Sequence, residues 1–169
     1  MDWRQALSIA LIFGAVALLS GIASRKIGDP DTSGAVAAAV SEHYSSWIGV
    51  AGVKGDSALP PLTLCLESKT PLNLEAVAGH LAHTIIRAIP IIACRSERVE
   101  GDFGMFASIT RYYDFTGEEA AHLEIAKVAC SNTTTCQVDI DDRGAGMTYE
   151  LKRRGQEWQA VGRHTRWIV

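Results

Sequence analysis

The sequence predicts an α+β domain behind an amino-terminal transmembrane helix, on three observations. Residues 6–24, ALSIALIFGAVALLSGIAS, are apolar and carry no charge. Two stretches between residues 35 and 89 place apolar side chains at helical spacing. From about residue 105 onward the pattern turns to period two, in strand-length pieces separated by turn residues. The expected architecture is two helices and short strands packed on a curled antiparallel β-meander.

The apolar run comes first. As a helix rising about 1.5 Å per residue, it reaches roughly the thickness of a bilayer's hydrocarbon core. A cleavable signal has a shorter apolar centre, roughly 7–15 residues, followed by a small-x-small site. Gly21 and Ala23 would supply that site, but Arg25 and Lys26 follow at once and make an awkward start for translocation. Length and flanks therefore favour a retained anchor, with a secreted domain as the outcome of cleavage. Ala10, Gly14, Ala17 and Gly21 share one helical face, a packing seam for a membrane partner or for self-association. Arg4 on one side and Arg25 with Lys26 on the other nearly balance, so flanking charge does not set orientation.

The chain divides into residues 1–24 as anchor or signal, 25–34 as linker and 35–169 as one extracytoplasmic domain. That body is large enough for one hydrophobic core. It carries the whole formal charge of −3, because Asp2 and Arg4 cancel. A mildly acidic domain without a dense cationic block is a poor nucleic-acid binder. The most basic spot, LKRRG at 151–155, reads as a solvated turn.

Four cysteines, Cys65, Cys94, Cys130 and Cys136, allow three pairings. Cys130 and Cys136 flank a polar five-residue stretch, SNTTT, that suits a hairpin loop. Cys65 and Cys94 lie in short apolar runs separated by one helical segment. The favoured pairing is 65–94 with 130–136, which requires oxidising surroundings and places the domain in the periplasm or outside the cell. A cytosolic domain with four reduced thiols is the alternative. A metal centre is not expected, since no C-x-x-C and no cysteine at ligand spacing from a histidine occurs.

After the linker, Thr32 or Ser33 is positioned to cap a helix. Its apolar stripe is Ala37, Val40, Tyr44, Trp47, Ile48 and Ala51. KGDSALPP at 54–61 ends it, and LTLCLES reads as a strand. PLNLEAVAGHLAHTIIRAI, 71–89, reads as a second helix with Leu74, Val77, Leu81 and Ile85 on one face. Pro90 stops it and IIAC opens a second strand. ASITRYYDF alternates loosely, and AHLEIAKVACS, TCQVDID, MTYELKRR and EWQAVGRHTRWIV supply the meander. Their alternation predicts one packed and one wet face. Gly162 marks a bulge in the last strand. Trp158 and Trp167, on opposite faces of that strand, are core residues or a contact surface.

Motifs for chemistry are sparse. His80 and His83 share a helical face but lack a third metal ligand. Asp139, Asp141 and Asp142 precede Gly144, yet Arg143 breaks a calcium-loop pattern and a hairpin turn is expected. GDFG at 101–104 lacks the other elements of a kinase site and reads as a turn. No nucleophile elbow, phosphate loop or H-E-x-x-H is present. His122 with Asp114, or His164 with a meander carboxylate, is a pair the fold would have to assemble. No cofactor is expected. The functional expectation is a membrane-anchored or exported binding or assembly domain that docks onto another envelope protein. The alternative is a small exported enzyme with its site in the concave face of the sheet.

Overall fold

A computed structural model of the chain describes residues 31–50, 61–100 and 108–169. The membrane segment with Ala10, Gly14, Ala17 and Gly21, the stretch 54–60 and the GDFG turn lie outside the described residues. Among the described residues no helix is long and apolar enough to cross a membrane.

The described chain is α+β, with two helices and a mostly antiparallel sheet. Helix α1 spans Thr32–Val50, β1 Leu62–Ser68, α2 Leu74–Leu81, β2 Ile86–Pro90, β3 Arg95–Glu100 and β4 Ser108–Tyr113. Four longer strands follow: β5 Glu119–Asn132, β6 Thr135–Asp141, β7 Ala145–Arg154 and β8 Glu157–Ile168. The strand order is β2-β1-β5-β6-β7-β8, and the β3–β4 hairpin joins β5 at Tyr112↔Ala120 and Tyr113↔Glu119.

The β5–β8 meander follows from turn chemistry. Asn132 accepts from the Thr134 amide at 2.8 Å, Asp142 accepts from the Gly144 and Ala145 amides at 2.8 and 2.7 Å, and Gly155 takes φ +65. Each residue type suits a tight reversal. The early strands differ from the meander, because β1 runs parallel to both β2 and β5. α2 forms the crossover between β1 and β2, and a helix between two strands brings the second back parallel to the first.

α1 starts earlier than the linker boundary implies. Asp31, rather than Thr32 or Ser33, caps it, accepting from the Gly34 amide at 2.9 Å. Its buried face is Ala35, Val36, Ala37, Ala39, Val40 and His43; of the expected stripe Ala37 and Val40 are buried and Tyr44 is half-buried, while Ala51 and the side chains of Trp47 and Ile48 lie outside the described residues. α2 is much shorter than the 71–89 reading. Asn73 caps it by accepting from the Ala76 amide at 3.0 Å, and it ends after Leu81. There the Thr84 hydroxyl donates to the Leu81 carbonyl at 2.8 Å, competing with helical bonding. The β-branched run Thr84-Ile85-Ile86 then favours extended backbone. Ile85 is consequently 40% exposed instead of completing the apolar stripe. Pro90 ends edge strand β2, where its missing N–H costs nothing, and Ile91–Ala93 form a 3-10 turn instead of opening a strand.

The core lies between the helices and one face of the sheet. Leu64, Leu66, Leu123, Ile125, Val138, Ile140, Tyr149 and Leu151 are almost wholly excluded from water and pack with Val77, Leu81 and the α1 face. β8 bulges twice, at Arg166 between the pairs Gly146↔Trp167 and Met147↔Thr165, and at Val161 between Leu151↔Ala160 and Glu150↔Gly162. Trp158, before both, belongs to the core, whereas Trp167 is 38% exposed and lies across Gly146. A Cβ on Gly146 would stand 2.1 Å from the Trp167 Nε1, so only glycine admits this approach.

Candidate functional site

Two polar constellations meet at the end of the sheet where α1 passes the β6–β7 turn. The first is built on His43, among the described residues the one polar side chain on the buried face of α1. Its Nδ1 is 2.9 Å from the Tyr149 hydroxyl on β7, and its Nε2 is 3.0 Å from Asp142 Oδ2 in the turn. A carboxylate can only accept, so the neutral ring carries its proton on Nε2 and donates to Asp142. Nδ1 then accepts from the Tyr149 O–H. Burial lowers the His43 pKa, and the Asp142 charge and hydrogen bond oppose that shift without overcoming it. Burial pushes the Tyr149 hydroxyl up to about 12, so it remains a proton donor at neutral pH.

The second constellation is a cleft of about 410 Å³ on the same turn. Ala120, Ala121 and His122 of β5 form one wall, Asp142, Arg143 and Gly144 another, with Tyr44 and Glu119 beside them. Burial, and then the charge of Asp142, raise the Tyr44 pKa, which keeps it a neutral phenol. His122 stacks on Tyr112 with ring centroids 4.3 Å apart and planes 10° from parallel. Its Nε2 lies 3.1 Å from Glu67 Oε2. Arg143 donates to the Thr110 carbonyl, fastening the β6–β7 turn to β4.

Three ionisable side chains of the cleft each bond to a residue outside its lining: Asp142 to His43, His122 to Glu67, Arg143 to Thr110. Asp142 is the shared member, with one oxygen holding the turn amides and the other holding His43. Chemically, the relay fixes α1 against the turn and orients a carboxylate at the cleft. Tyr149 is about 1% exposed, which withholds its oxygen from any substrate.

The residues singled out in the sequence fall in several places. Cys65 meets Cys94 with Cα atoms 6.2 Å apart, and Cys130 meets Cys136 at 3.9 Å, giving two disulfide-compatible pairs and no free cysteine. His80 is exposed on α2 and approaches Asp31 at 3.8 Å, whereas His83 falls in the turn beyond the end of α2 at Leu81, so the two do not share a helical face as expected. His164 meets the meander carboxylate Glu150 at 3.1 Å. His122 does not meet Asp114. Asp114 is bound instead by Arg87 and by Thr116 and Glu118, whose hydrogen bonds, that of the Thr116 hydroxyl foremost, lower its pKa. Asp139 accepts from the Thr148 hydroxyl at 2.6 Å, and Asp141 pairs with Arg166. Among the described residues no group of three His, Cys, Asp or Glu could hold a metal ion.

The His43–Asp142 pair was not singled out from sequence. One sign of it is present: His43 lies three residues after Val40 and seven after Val36, on the stripe that proves buried. Compared with protein-family models, curated proteins and solved structures, the chain matches none.

Proposed function

We propose that this chain is an exported binding domain, held to the membrane by residues 6–24, that docks onto another envelope protein. The observation that carries the reading is the polarity of the domain from end to end. α1 begins at Thr32 beside the β7–β8 turn, with Gly34 against Trp158. The opposite end gathers Trp167 and Ile168, which is 75% exposed, next to the β6–β7 turn and the cleft. The Val169 amide donates to the Gly144 carbonyl at 3.1 Å, which ties these apolar residues to that turn.

A chain entering from the membrane at residue 24 reaches the body at the α1 start. The apolar, cleft-bearing end then points away from the bilayer, where another protein is accessible. β8 is also the sheet's outer strand, hydrogen-bonded among the described residues only to β7. Exposed apolar side chains beside an open strand edge are a recurrent docking surface. The absence of free cysteine supports the oxidising compartment.

The test is site-specific photocross-linking of the full chain in the cells that make it. A photoreactive amino acid at Ile168 is expected to give a discrete protein adduct, and one at Gln159 none. No adduct at Ile168 ends the docking reading. Four thiols alkylated without reduction end the export reading.

A further inference from the structure

We infer that the β7–β8 turn, with Lys152, Arg153 and Arg154, rests on the anionic phospholipid surface of the bilayer that holds residues 6–24. The inference rests on the anchor reading above and adds a second membrane contact to it. Three observations carry it.

The first is position. The β7–β8 turn and the start of α1 form one end of the domain: Asp31, Gly34, Gln156, Glu157 and Trp158 line a common cleft there. Residues 25–30 join this end to the apolar run. Six residues span at most about 20 Å when fully extended, so the turn cannot stand far from the headgroups.

The second is charge. Among the described residues, Lys152, Arg153 and Arg154 take part in no ion pair, so three consecutive cations at this turn have no carboxylate bound to them. The Arg153 Nε is buried without a hydrogen-bond partner. Asp31 and Glu157 lie at the same end. Against these two carboxylates stand the three cations of the turn, so the described part of this end is positive in a chain of net charge −3.

The third is what the turn lacks. Gly155, Gln156 and Glu157 are exposed, while Trp158 is buried. The turn therefore offers a partner cations rather than apolar anchors, which suits phosphate headgroups better than a protein groove. Each basic side chain held near an anionic surface strengthens the contact about fivefold.

The experiment uses the full chain, reconstituted into vesicles of phosphatidylcholine alone or of phosphatidylcholine and phosphatidylglycerol in equal amounts. A fluorescent amino acid at Gln156 reports distance to a quencher on the lipid headgroup. Quenching is expected to be several-fold stronger with phosphatidylglycerol. The difference is expected to vanish in about 1 M salt, where screening acts within about 3 Å. It is also expected to vanish in the double variant Lys152→Glu, Arg154→Glu, with near-ultraviolet circular dichroism showing that this variant keeps its fold. Equal quenching in both lipids, or a difference that survives charge reversal, overturns the inference and leaves the anchor reading standing. A chain that fails to float with either vesicle overturns the anchor reading and the inference together.

Discussion

Under α1 the sheet presents Leu64, Leu66, Leu123, Ile125, Val138, Ile140 and Leu151, all fully buried. On its other face stand Lys69 with Glu124, His122 with Glu67, Arg166 with Asp141, and His164 with Glu150. Each face contains one exception. Among the apolar residues sits the His43–Asp142–Tyr149 relay. Among the charged ones sits Cys65, completely buried beneath its partner Cys94. Both exceptions fasten segments that hydrogen-bonded pairing between neighbouring strands does not hold: α1 to the β6–β7 turn, and β1 to the chain beyond β2. The burial of apolar surface is non-directional. Directional or covalent links decide where such segments come to rest.

The largest effect that tests this contrast comes from the cross-links. Replacing Cys65 and Cys94 together by Ala frees a sequence separation of 29 and is expected to cost about 3.5 kcal/mol. The same treatment of Cys130 and Cys136, separated by 6, is expected to cost about 2.4 kcal/mol. Denaturant unfolding of the two double variants measures both, and a reversed order would show that loop length is not what sets them apart.

Leu123→Ala on the dry face is expected to cost about 3 kcal/mol, from lost transfer energy and the cavity left behind. A cost under about 1 kcal/mol would mean the α1 side of the sheet is less tightly packed than its burial implies. Within that face the relay should register separately. Tyr149→Phe leaves His43 Nδ1 without this donor and is expected to cost about 1.5 kcal/mol. A neutral result would show that the hydroxyl does not hold the ring.

The relay also has a pH signature. Because burial lowers the His43 pKa below its ordinary 6.5, the unfolded chain takes up that proton first as the pH falls. The contribution is whole above about pH 6.5 and is lost as the pH drops from there toward the folded-state value. Stability measured from pH 7 down to pH 5 should therefore decline less in His43→Gln than in the wild type. Parallel curves would remove His43 as the origin of the slope. The smallest effect belongs to the wet face. His164→Ala should change stability by less than about 0.5 kcal/mol, because its pair with Glu150 stands in water. A loss above 1 kcal/mol would make the outer ion pairs structural after all.

Much of the meander was legible because its signals are local. In CQVDID and MTYELK, period-two alternation separates Val138, Ile140, Tyr149 and Leu151 from Asp139, Asp141 and Glu150. Asn132, Asp142 and Gly155 mark the reversals. The first half was harder. Residues 71–89 have helical periodicity beyond Leu81, but the Thr84 hydroxyl and the following isoleucines turn the chain into β2. The alanine-rich composition of α1 left its buried face ambiguous, since Ala35, Ala37, Ala38 and Ala39 surround the helix with nearly equal side chains. The cleft was not legible at all. Its residues come from α1, β5 and the β6–β7 turn and become neighbours only in the fold.

By itself the sequence determined the α+β class, the four meander strands and their reversals. Backbone propensity, alternation and turn chemistry act over a few residues, and every such signal lies within the segment it shapes. Only the tertiary structure decided that β1 runs parallel between β2 and β5, and that His43 meets Asp142 across 99 residues of sequence. Contacts of that span depend on which apolar faces pack together. Packing is a property of the assembled core, which no short stretch of the chain contains.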